Sequence, residues 1–172
     1  RGLPNFRSTV DCVPHYADAK NVALLQKFGV LSEKEIKARM EVLLENYAKT
    51  INIEALTMID MTKKKYIPTC IAYTKELCDA AAVKQSLDIC SCVEKELAEK
   101  VSSLTKAAYE ATEKLEAAAA AKDDCVLSMA KSYREDVIPV MDDLRAAVDA
   151  LEVITPSEKW PVPAYSDIIF NV

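Results

Sequence analysis

Apolar residues recur every three or four positions over much of the chain, which is the period of one face of an α-helix. In the first such stretch the apolar positions are Ile36, Met40, Leu43, Tyr47, Ile51, Ile71, Leu77 and Val83. Pro68 lies inside this stretch, and proline lacks an amide donor and clashes with the carbonyl four residues back. We therefore predict one long helix, from about residue 33 to about residue 85, with a kink at Pro68.

The ends of this helix and of the one before it carry capping signals. Ser32-Glu33-Lys34-Glu35 has the form of a capping box, in which the Ser32 hydroxyl accepts from the amide of residue 35 and the Glu35 carboxylate accepts from the amide of residue 32. Upstream, Asp18 can cap a short helix, and Gly29 suits the position just after that helix ends. Residues 1–17 show little periodicity, so we predict an irregular lead-in.

Two further periodic stretches predict the remaining helices. The first has coiled-coil-like spacing at Val93, Leu97, Val101, Leu104, Ala108, Ala111, Leu115 and Ala118. The second has its apolar positions at Val126, Ala130, Tyr133, Val137, Val140, Leu144, Val148 and Leu151. The break at 85–88 leaves Asp88 or Ser91 to cap the first of these helices. Lys122-Asp123-Asp124 marks the turn before the second, which Pro139 should kink.

Short connections between long helices imply antiparallel neighbours. The predicted fold class is all-α: an elongated antiparallel helical bundle with one long proline-kinked helix, an irregular N-terminal lead-in and a docked C-terminal tail. We divide the chain into a linker with a short helix (1–31), the helical bundle (32–155) and a Trp/Pro-rich tail (156–172). The tail is expected to dock on a surface because it is apolar and rich in proline, whereas disordered tails are polar.

The composition excludes several classes of protein. Two glycines among 172 residues are too few for the tight turns of sandwiches, barrels or doubly wound sheets, and no Gly-rich phosphate-binding motif occurs. A net charge of −5 with interspersed signs provides no electrostatic footprint for nucleic acid. No stretch approaches the ~18 apolar residues of a membrane span.

The basic run Lys63–Lys65 is expected to be a solvated helix face rather than a phosphate or partner patch.

Six cysteines occur in a chain that begins without a recognisable secretory segment. We expect them to be free thiols of a cytosolic protein, buried as small hydrophobic side chains. Cys90-x-Cys92 and Cys12-x-x-His15 are the spacings that resemble metal-ligand pairs. A structural zinc site needs four ligands, usually in two close pairs. With a single histidine in the chain, a zinc site or a Cys–His nucleophile is less favoured than ordinary thiols and an exposed His15.

Acidic residues on the long helix form the other candidate constellation. Glu41, Glu45 and Glu54 lie there, but a di-iron bundle uses Glu-x-x-His pairs and the chain has none. We expect Glu41 and Glu45 to be solvated or paired with neighbouring lysines. A polar cluster on this helix consists of Asn52, Glu54, Thr57 and Asp60. We interpret it as an internal network or a subunit contact rather than a ligand site. No catalytic, cofactor-binding or metal-binding residue is assigned.

The lead-in contains three distinctive segments: Arg1-Gly2-Leu3-Pro4-Asn5, Ser8-Thr9-Val10-Asp11 and Lys20-Asn21-Val22-Ala23-Leu24. In this order they resemble the C-terminal region of type III glutamine synthetases. Residues 39–47 (RMEVLLENY) look like that family's helix start, and residues 50–61 (TINIEALTMIDM) are similar to its most recognisable helix. Ile67-Pro68 and Val137-Ile138-Pro139 also fit, and residues 160–167 (WPVPAYSD) resemble its closing W-P-x-P-x-Y-x-D. The part least matched is roughly 84–122.

The resemblance implies a cytoplasmic, ATP-dependent glutamate–ammonia ligase that uses magnesium and assembles as a homo-oligomer, a dodecamer in this family. The family's metal-binding glutamates and ATP-contacting arginines belong to a catalytic domain upstream of this region, so no catalytic residue carries over. The chain would then be a non-catalytic C-terminal helical domain that packs on its own catalytic domain and on neighbouring subunits. ATP and magnesium would bind the parent enzyme and not this part.

A second interpretation stays open from the residues alone. The chain could be a free-standing helical adaptor or regulatory module that binds partner helices through its long amphipathic rod. Under the first interpretation the lead-in and the 160–170 tail lie beside another domain, so both are expected to expose apolar surface when that domain is missing.

Overall fold

The computed structural model describes residues 2, 4–121 and 123–170, and every regular element among them is helical. The elements are α1 (Thr9–Cys12, continued by the 3₁₀ turn Val13–Ala17), α2 (Ala19–Lys27), α3 (Glu33–Met61, Thr62–Tyr66 and Ile67–Ser86 in unbroken succession), α4 (Cys92–Ala119), α5 (Val126–Ser132, Tyr133–Val137 and Ile138–Ile154) and α6 (Tyr165–Phe170). The all-α prediction is confirmed. Arg1, Leu3, Lys122, Asn171 and Val172, parts of the predicted lead-in, turn and tail, lie outside the described residues.

The long helix α3 confirms the element predicted over residues 33–85, and the chain accommodates Pro68 without ending it. A π-helical turn, Thr62–Tyr66, comes directly before Ile67-Pro68, and the amide of Ile67 donates to the Thr62 carbonyl. This wider turn moves the backbone carbonyls away from the proline ring, which would clash with a regular α-helical carbonyl four residues back. The perturbation predicted at Pro68 therefore takes the form of a π turn.

Helix α5 repeats this arrangement at Pro139. Its π turn, Tyr133–Val137, precedes Ile138-Pro139, and the Ile138 amide donates to the Tyr133 carbonyl. The same local sequence, an Ile-Pro pair inside an apolar helix, thus produces the same local structure twice. We infer that these turns are a response to proline and not a separate feature of each helix.

The capping signals around α2 and α3 are largely confirmed. The Ser32 amide donates to Glu35 Oε2 at 2.7 Å and the Glu35 amide donates to Ser32 Oγ at 3.3 Å, which completes the capping box. Gly29 has φ 64° and ends α2 in the left-handed conformation that glycine adopts without strain. Asp18 occupies the N-cap position of α2, but its side chain makes no capping bond and pairs with His15.

Asp88 was predicted as a possible cap of α4, and this is wrong. Asp88 has φ 56° and ends α3 instead: its amide donates to the Gln85 carbonyl, and the Ile89 amide donates to the Lys84 carbonyl at 2.9 Å. These two bonds form a Schellman motif, which requires a left-handed residue just after the helix. The alternative, Ser91, is the residue that directly precedes α4, and its carbonyl accepts from Lys95.

The chain divides into two compact units, each described here by itself. The first comprises Arg1–Ala55 and Ala118–Pro139. Its core consists of Val10, Val13, Leu44 and Ala130, with the partly buried Met40, Tyr47, Val126 and Leu127 packed against them. The Arg134 guanidinium donates to the Asp11 carboxylate and joins α1 to α5 beside this core. The lead-in predicted as irregular is therefore helical from Thr9 and supplies part of a core.

The second unit comprises Leu56–Ala117 and Val140–Val172, and its cross-helix ion pairs show how α3 and α4 run. Near the connection, Lys84 pairs with Glu94; far from it, Lys63 donates to Glu116 at 2.6 Å. Because both pairs lie about equally far from the turn along each helix, these parts of α3 and α4 are antiparallel neighbours, as predicted.

The predicted core positions are partly wrong along α3. Ile36 is buried as expected, but Leu44 and Ala48 are buried while Leu43 is exposed. Further along, the buried residues are Cys70 and Ala81, whereas the predicted Ile71 and Val83 are exposed, as is Val93 at the start of α4. Small side chains thus fill much of this interface, and three large aliphatic side chains in this region of the helices face outward. Of the other predicted α4 seam positions, four are buried (Val101, Ala108, Ala111 and Leu115) and three are half-buried (Leu97, Leu104 and Ala118).

Candidate functional site

A groove of about 320 Å³ lies among the N-terminal helices of the first unit. Phe6 stacks on the His15 ring with centroids 4.3 Å apart, and Cys12, Tyr16, Leu24 and Leu25 line the same groove. His15 Nδ1 is 2.9 Å from Asp18 Oδ2, and Asn21 Nδ2 donates to the His15 carbonyl at 2.7 Å. The walls are predominantly apolar, with one imidazole fixed by a carboxylate.

The structure therefore brings Cys12 and His15 to one groove. Nδ1 of His15 forms a hydrogen bond with the Asp18 carboxylate, and Phe6 covers one face of the imidazole ring. Stacking on Phe6 and the hydrogen bond with Asp18 account for the position of His15, whereas a nucleophilic pair would need a cysteine as the partner of the imidazole. Across the described residues, no group of three or more His, Cys, Asp or Glu side chains could hold a metal ion.

Cys90 and Cys92 form the second pair singled out by spacing, and the structure places them together. Their sulfurs are 3.0 Å apart in the exposed turn between α3 and α4. The expectation that the cysteines are buried is wrong for five of the six, since Cys70 alone is buried and Cys12, Cys78, Cys90, Cys92 and Cys125 are exposed. Burial raises the pKa of the Cys70 thiol, which makes it the least reactive kind of thiol.

The carboxylates of α3 lie on its solvent side. Glu45 pairs with Lys49 at 2.7 Å, as expected for residues four apart, and Glu41 is exposed. In the predicted polar cluster, Glu54, Thr57 and Asp60 are also exposed, and Asp60 pairs with Lys64. An internal network of all four residues is therefore not formed: Ala55 and Ile59 are the buried positions of this stretch, and of the cluster Asn52 alone is half-buried. The alternative, a subunit contact, stays a prediction.

The basic run Lys63–Lys65 falls within the π turn of α3. Lys63 reaches across to α4, where it contacts Glu116 at 2.6 Å and Glu113 at 3.5 Å. The hydrogen bond to Glu116 is the main cause of a raised Lys63 pKa. All three lysines are exposed, as expected for a solvated helix face, and Lys63 and Lys64 are in addition paired with carboxylates of the same domain.

The tail begins with a docked segment and ends with an exposed one. Trp160 is 7% exposed and stacks on Tyr66 of α3 with ring centroids 5.1 Å apart. Lys159 pairs with Glu76 of the same helix at 2.7 Å. Beyond the prolines, Ile168, Ile169 and Phe170 of α6 are all more than half exposed. The predicted docking is therefore confirmed at Trp160, and the predicted apolar exposure is confirmed further along the tail.

The first unit exposes apolar surface as well. Leu24 of α2 is 54% exposed and Phe28, directly after the helix, is 69% exposed; Val30, Tyr16 and Phe6 are exposed beside them. None of the residues of α2 is buried. The apolar side chains that α2 turns inward are only half-buried. Its exposed leucine, with the phenylalanine that follows the helix, leaves an apolar face of the kind that is covered in larger assemblies.

Comparison with known proteins relates this arrangement to a family. The model of the glutamine synthetase C-terminal domain matches residues 1–85. A glutamine synthetase from Butyrivibrio fibrisolvens is 34% identical over 100% of this chain and 25% of its own length. A type-3 glutamine synthetase from Dictyostelium discoideum is 32% identical over 99% of this chain and 24% of its own length. A glutamine synthetase from Bacteroides fragilis is 26% identical over 99% of this chain and 25% of its own length.

The chain belongs to the glutamine synthetase C-terminal domain family. It spans about a quarter of the length of the curated relatives it matches, and it corresponds to their C-terminal quarter. The resemblance read from the motifs is thereby confirmed at the level of the family. The motif at residues 50–61 falls in α3, and W-P-x-P begins at the buried Trp160.

Within this C-terminal domain Asp11 and Arg134 lie in contact, which the pattern of the sequence does not predict. These residues are 123 positions apart, and no local spacing connects them. The hydrogen bond from Ser8, followed by that from Arg134, lowers the pKa of the Asp11 carboxyl. The sequence does contain a signal for the position of Asp11, though not for Arg134. Ser8-Thr9-Val10-Asp11 is a capping sequence, in which the Asp11 amide donates to Ser8 Oγ at 3.1 Å.

Proposed function

We propose that this domain is a non-catalytic, architectural part of a type III glutamine synthetase, a cytoplasmic enzyme that joins ammonia to glutamate with ATP. The observation that carries the proposal is the match of nearly the whole chain to the C-terminal quarter of glutamine synthetases, one of them a type-3 enzyme. The chemistry then belongs to the remaining three quarters of such a protein. None of the described helices is long and apolar enough to cross a membrane.

The residues present do not fit an ATP–magnesium site. Phosphoryl transfer depends on positioned metal ligands and cationic groups around the phosphates. The sequence has no Gly-rich phosphate loop, and the described residues contain no cluster of metal-ligating side chains. Lys63 and Lys64 are held by carboxylates of their own domain. We therefore derive no catalytic step through this chain and assign ATP and magnesium to the catalytic domain of the parent enzyme.

The partner that this proposal assigns to the exposed face of α2 is the enzyme's own catalytic domain, in the same or a neighbouring subunit. Leu24 and Phe28 lie on this face, and α2 buries none of its residues against the domain described here. The face belongs to the part of the chain matched by the family model. An apolar face of this kind supports a role in packing and assembly of a homo-oligomer, such as the dodecamer expected for the family.

Two measurements of glutamine synthesis test the assignment. The parent enzyme, supplied with glutamate, ammonia, ATP and magnesium, should form glutamine, and the 172-residue chain under the same conditions should form none. Glutamine production by the 172-residue chain would contradict the non-catalytic role. A parent protein without ligase activity would contradict the family function and favour the helical adaptor.

A substitution on α2 tests the architectural role. Phe28→Lys in the parent enzyme places a charge on the face assigned to the catalytic domain, so we expect smaller assemblies by light scattering and lower thermal stability. Val153→Lys is the matched control, because Val153 is 86% exposed and lies in the other unit. Equal assembly of both variants and the unmodified enzyme would exclude α2 as a packing surface.

A further inference from the structure

Cys90 and Cys92 lie in the turn between α3 and α4 with their sulfurs 3.0 Å apart, and both residues are exposed. A disulfide bond is about 2.0 Å long, so the two sulfurs need to approach by about 1 Å to bond. A reagent can reach them from solvent, since Leu87, Ile89 and Val93 around them are more than half exposed as well. These two thiols have no part in the architectural role proposed above.

The backbone around the pair is held on both sides. Asp88 ends α3 in the left-handed conformation. Ser91, between the two cysteines, is buried, and its backbone carbonyl accepts the first helical hydrogen bond of α4 from the Lys95 amide. The ion pair between Lys84 and Glu94 closes the same turn. The thiols are therefore placed next to each other by the fold and need no large rearrangement to react.

We propose that Cys90 and Cys92 form a redox-active dithiol that exchanges with low-molecular-weight disulfides and closes to an intramolecular disulfide at the start of α4. In the first step a thiolate of the pair attacks the external disulfide, forms a mixed disulfide and releases one thiol. In the second step the other cysteine attacks the mixed disulfide, forms the Cys90–Cys92 bond and releases the second thiol. Two protein thiols are oxidised, one external disulfide is reduced to two thiols, and both thiol protons stay in solution or on the released thiols.

The two thiols influence each other's ionisation. Contact between them lowers the pKa of Cys90 and raises the pKa of Cys92. Because the thiolate is the attacking species, the cysteine that ionises attacks first, and its neighbour resolves the mixed disulfide.

Tryptic peptide mapping tests this chemistry directly. The reduced 172-residue chain is treated with oxidised glutathione, quenched in acid, alkylated and digested. Cleavage after Lys84 and Lys95 places Cys90 and Cys92 in one peptide, residues 85–95, with no other cysteine. We expect this peptide to lose the mass of two hydrogens and to take up no alkylating agent. In Cys92→Ser the same peptide should retain glutathione on Cys90, at a level about tenfold above that in the unmodified chain, because the resolving thiol is absent.

Cys78 serves as the internal control in the same sample. It is exposed and lies by itself in the tryptic peptide 76–84, so it should keep a bound glutathione where peptide 85–95 does not. This comparison uses the unmodified chain and stays informative if a variant folds poorly. Persistent glutathione on peptide 85–95 at the level of peptide 76–84, or cross-links from Cys90 or Cys92 to other peptides, would overturn the proposal. Neither outcome bears on the glutamine synthetase assignment, which rests on separate measurements.

Discussion

Asp88 and Gly29 hold equivalent positions at the ends of two helices, and only one of them is a glycine. Both have positive φ, 56° and 64° respectively, and each is followed by a residue whose amide donates back into the last turn of the helix. A side chain in this conformation is strained by contact with its own backbone, although aspartate tolerates it better than most residues. The sequence predicted the role of Gly29 because glycine is the usual signal, and it mis-assigned Asp88 because aspartate is also a frequent N-cap.

Asp88→Gly should stabilise the chain by about 0.5 kcal/mol, because glycine relieves the left-handed strain and the Schellman bonds are kept. The measurement is the midpoint of urea unfolding followed by circular dichroism. Gly29→Ala is the converse test and should cost about 1 kcal/mol. No atom lies within 4 Å of a Cβ placed at Gly29, so this cost reports the backbone alone. A destabilised Asp88→Gly variant would show that the Asp88 side chain has a role that the turn geometry does not require.

Trp160 is the single tryptophan of the chain and holds the start of the tail against α3. Trp160→Ala should cost about 3 kcal/mol, since it removes a large buried ring and its stacking on Tyr66. Trp160→Phe is the matched control: the Trp160 Nε1 atom has no hydrogen-bond partner among the described residues, so phenylalanine keeps a ring without giving up a hydrogen bond. Urea unfolding by circular dichroism should rank the unmodified chain first, Trp160→Phe second and Trp160→Ala last.

At the scale of elements, the capping box at the start of α3 makes the stability of the folded chain depend on pH. Glu35 accepts from the Ser32 amide and from the Ser32 hydroxyl, both at 2.7 Å, and the amide bond is the main cause of a Glu35 pKa below the ordinary 4.5. A carboxyl whose pKa is lower in the folded state binds fewer protons there than in the unfolded chain. The stability that the Glu35 carboxylate adds to the folded chain is therefore complete above its pKa in the unfolded chain. It is lost as the pH falls through its pKa in the folded chain.

Glu35→Gln tests this relation, because the amide keeps an acceptor oxygen and cannot ionise. At neutral pH the unmodified chain should be the more stable of the two, and the difference should shrink as the pH falls below 4.5 and through the lowered pKa of Glu35. Urea midpoints at several pH values measure it. Glu41→Gln, at an exposed position of the same helix, controls for the loss of a charge. A difference that stays constant with pH would contradict the role assigned to the Glu35 carboxylate.

The two Ile-Pro sites show what a helix does when proline is tolerated within it. Pro68 and Pro139 follow π turns of the same length, and the helix continues on both sides. The sequence predicted a local perturbation at each site from the chemistry of proline alone. It predicted that each helix continues with a kink, but it did not predict that a π turn accommodates the proline, because that choice depends on the packing around the buried Thr62 and Val137.

At the scale of the molecule, the exposed apolar residues predict self-association. Leu24 of α2 and Phe28 at its end, with Ile168, Ile169 and Phe170 on α6, leave apolar surface uncovered in a chain whose net charge is only −5. We expect light scattering to show a mass that rises with the concentration of the 172-residue chain. Phe28→Lys should lower the association, whereas Val153→Lys, a change at an isolated exposed valine, should change it little. A monomer at all concentrations would contradict this prediction.

The division into segments 1–31, 32–155 and 156–172 remains a prediction. The two compact units follow a different division, since each is assembled from two separate stretches of chain. Periodicity identifies helices and the breaks between them, and both are local properties. Which stretches form a common core depends on contacts such as Val10 with Ala130, which are remote in sequence.

The sequence by itself determined the helices, their caps at Ser32 and Gly29, the effect of the prolines and the family. These follow from interactions within a few residues of one another and from motifs in a fixed order. Only the tertiary structure decided that Leu44 and not Leu43 is buried, that Asp11 meets Arg134, and that Cys90 and Cys92 are exposed and close together. The physical reason is that a helix has the same period whichever neighbour it meets, so its buried face is set by packing and not by the repeat alone.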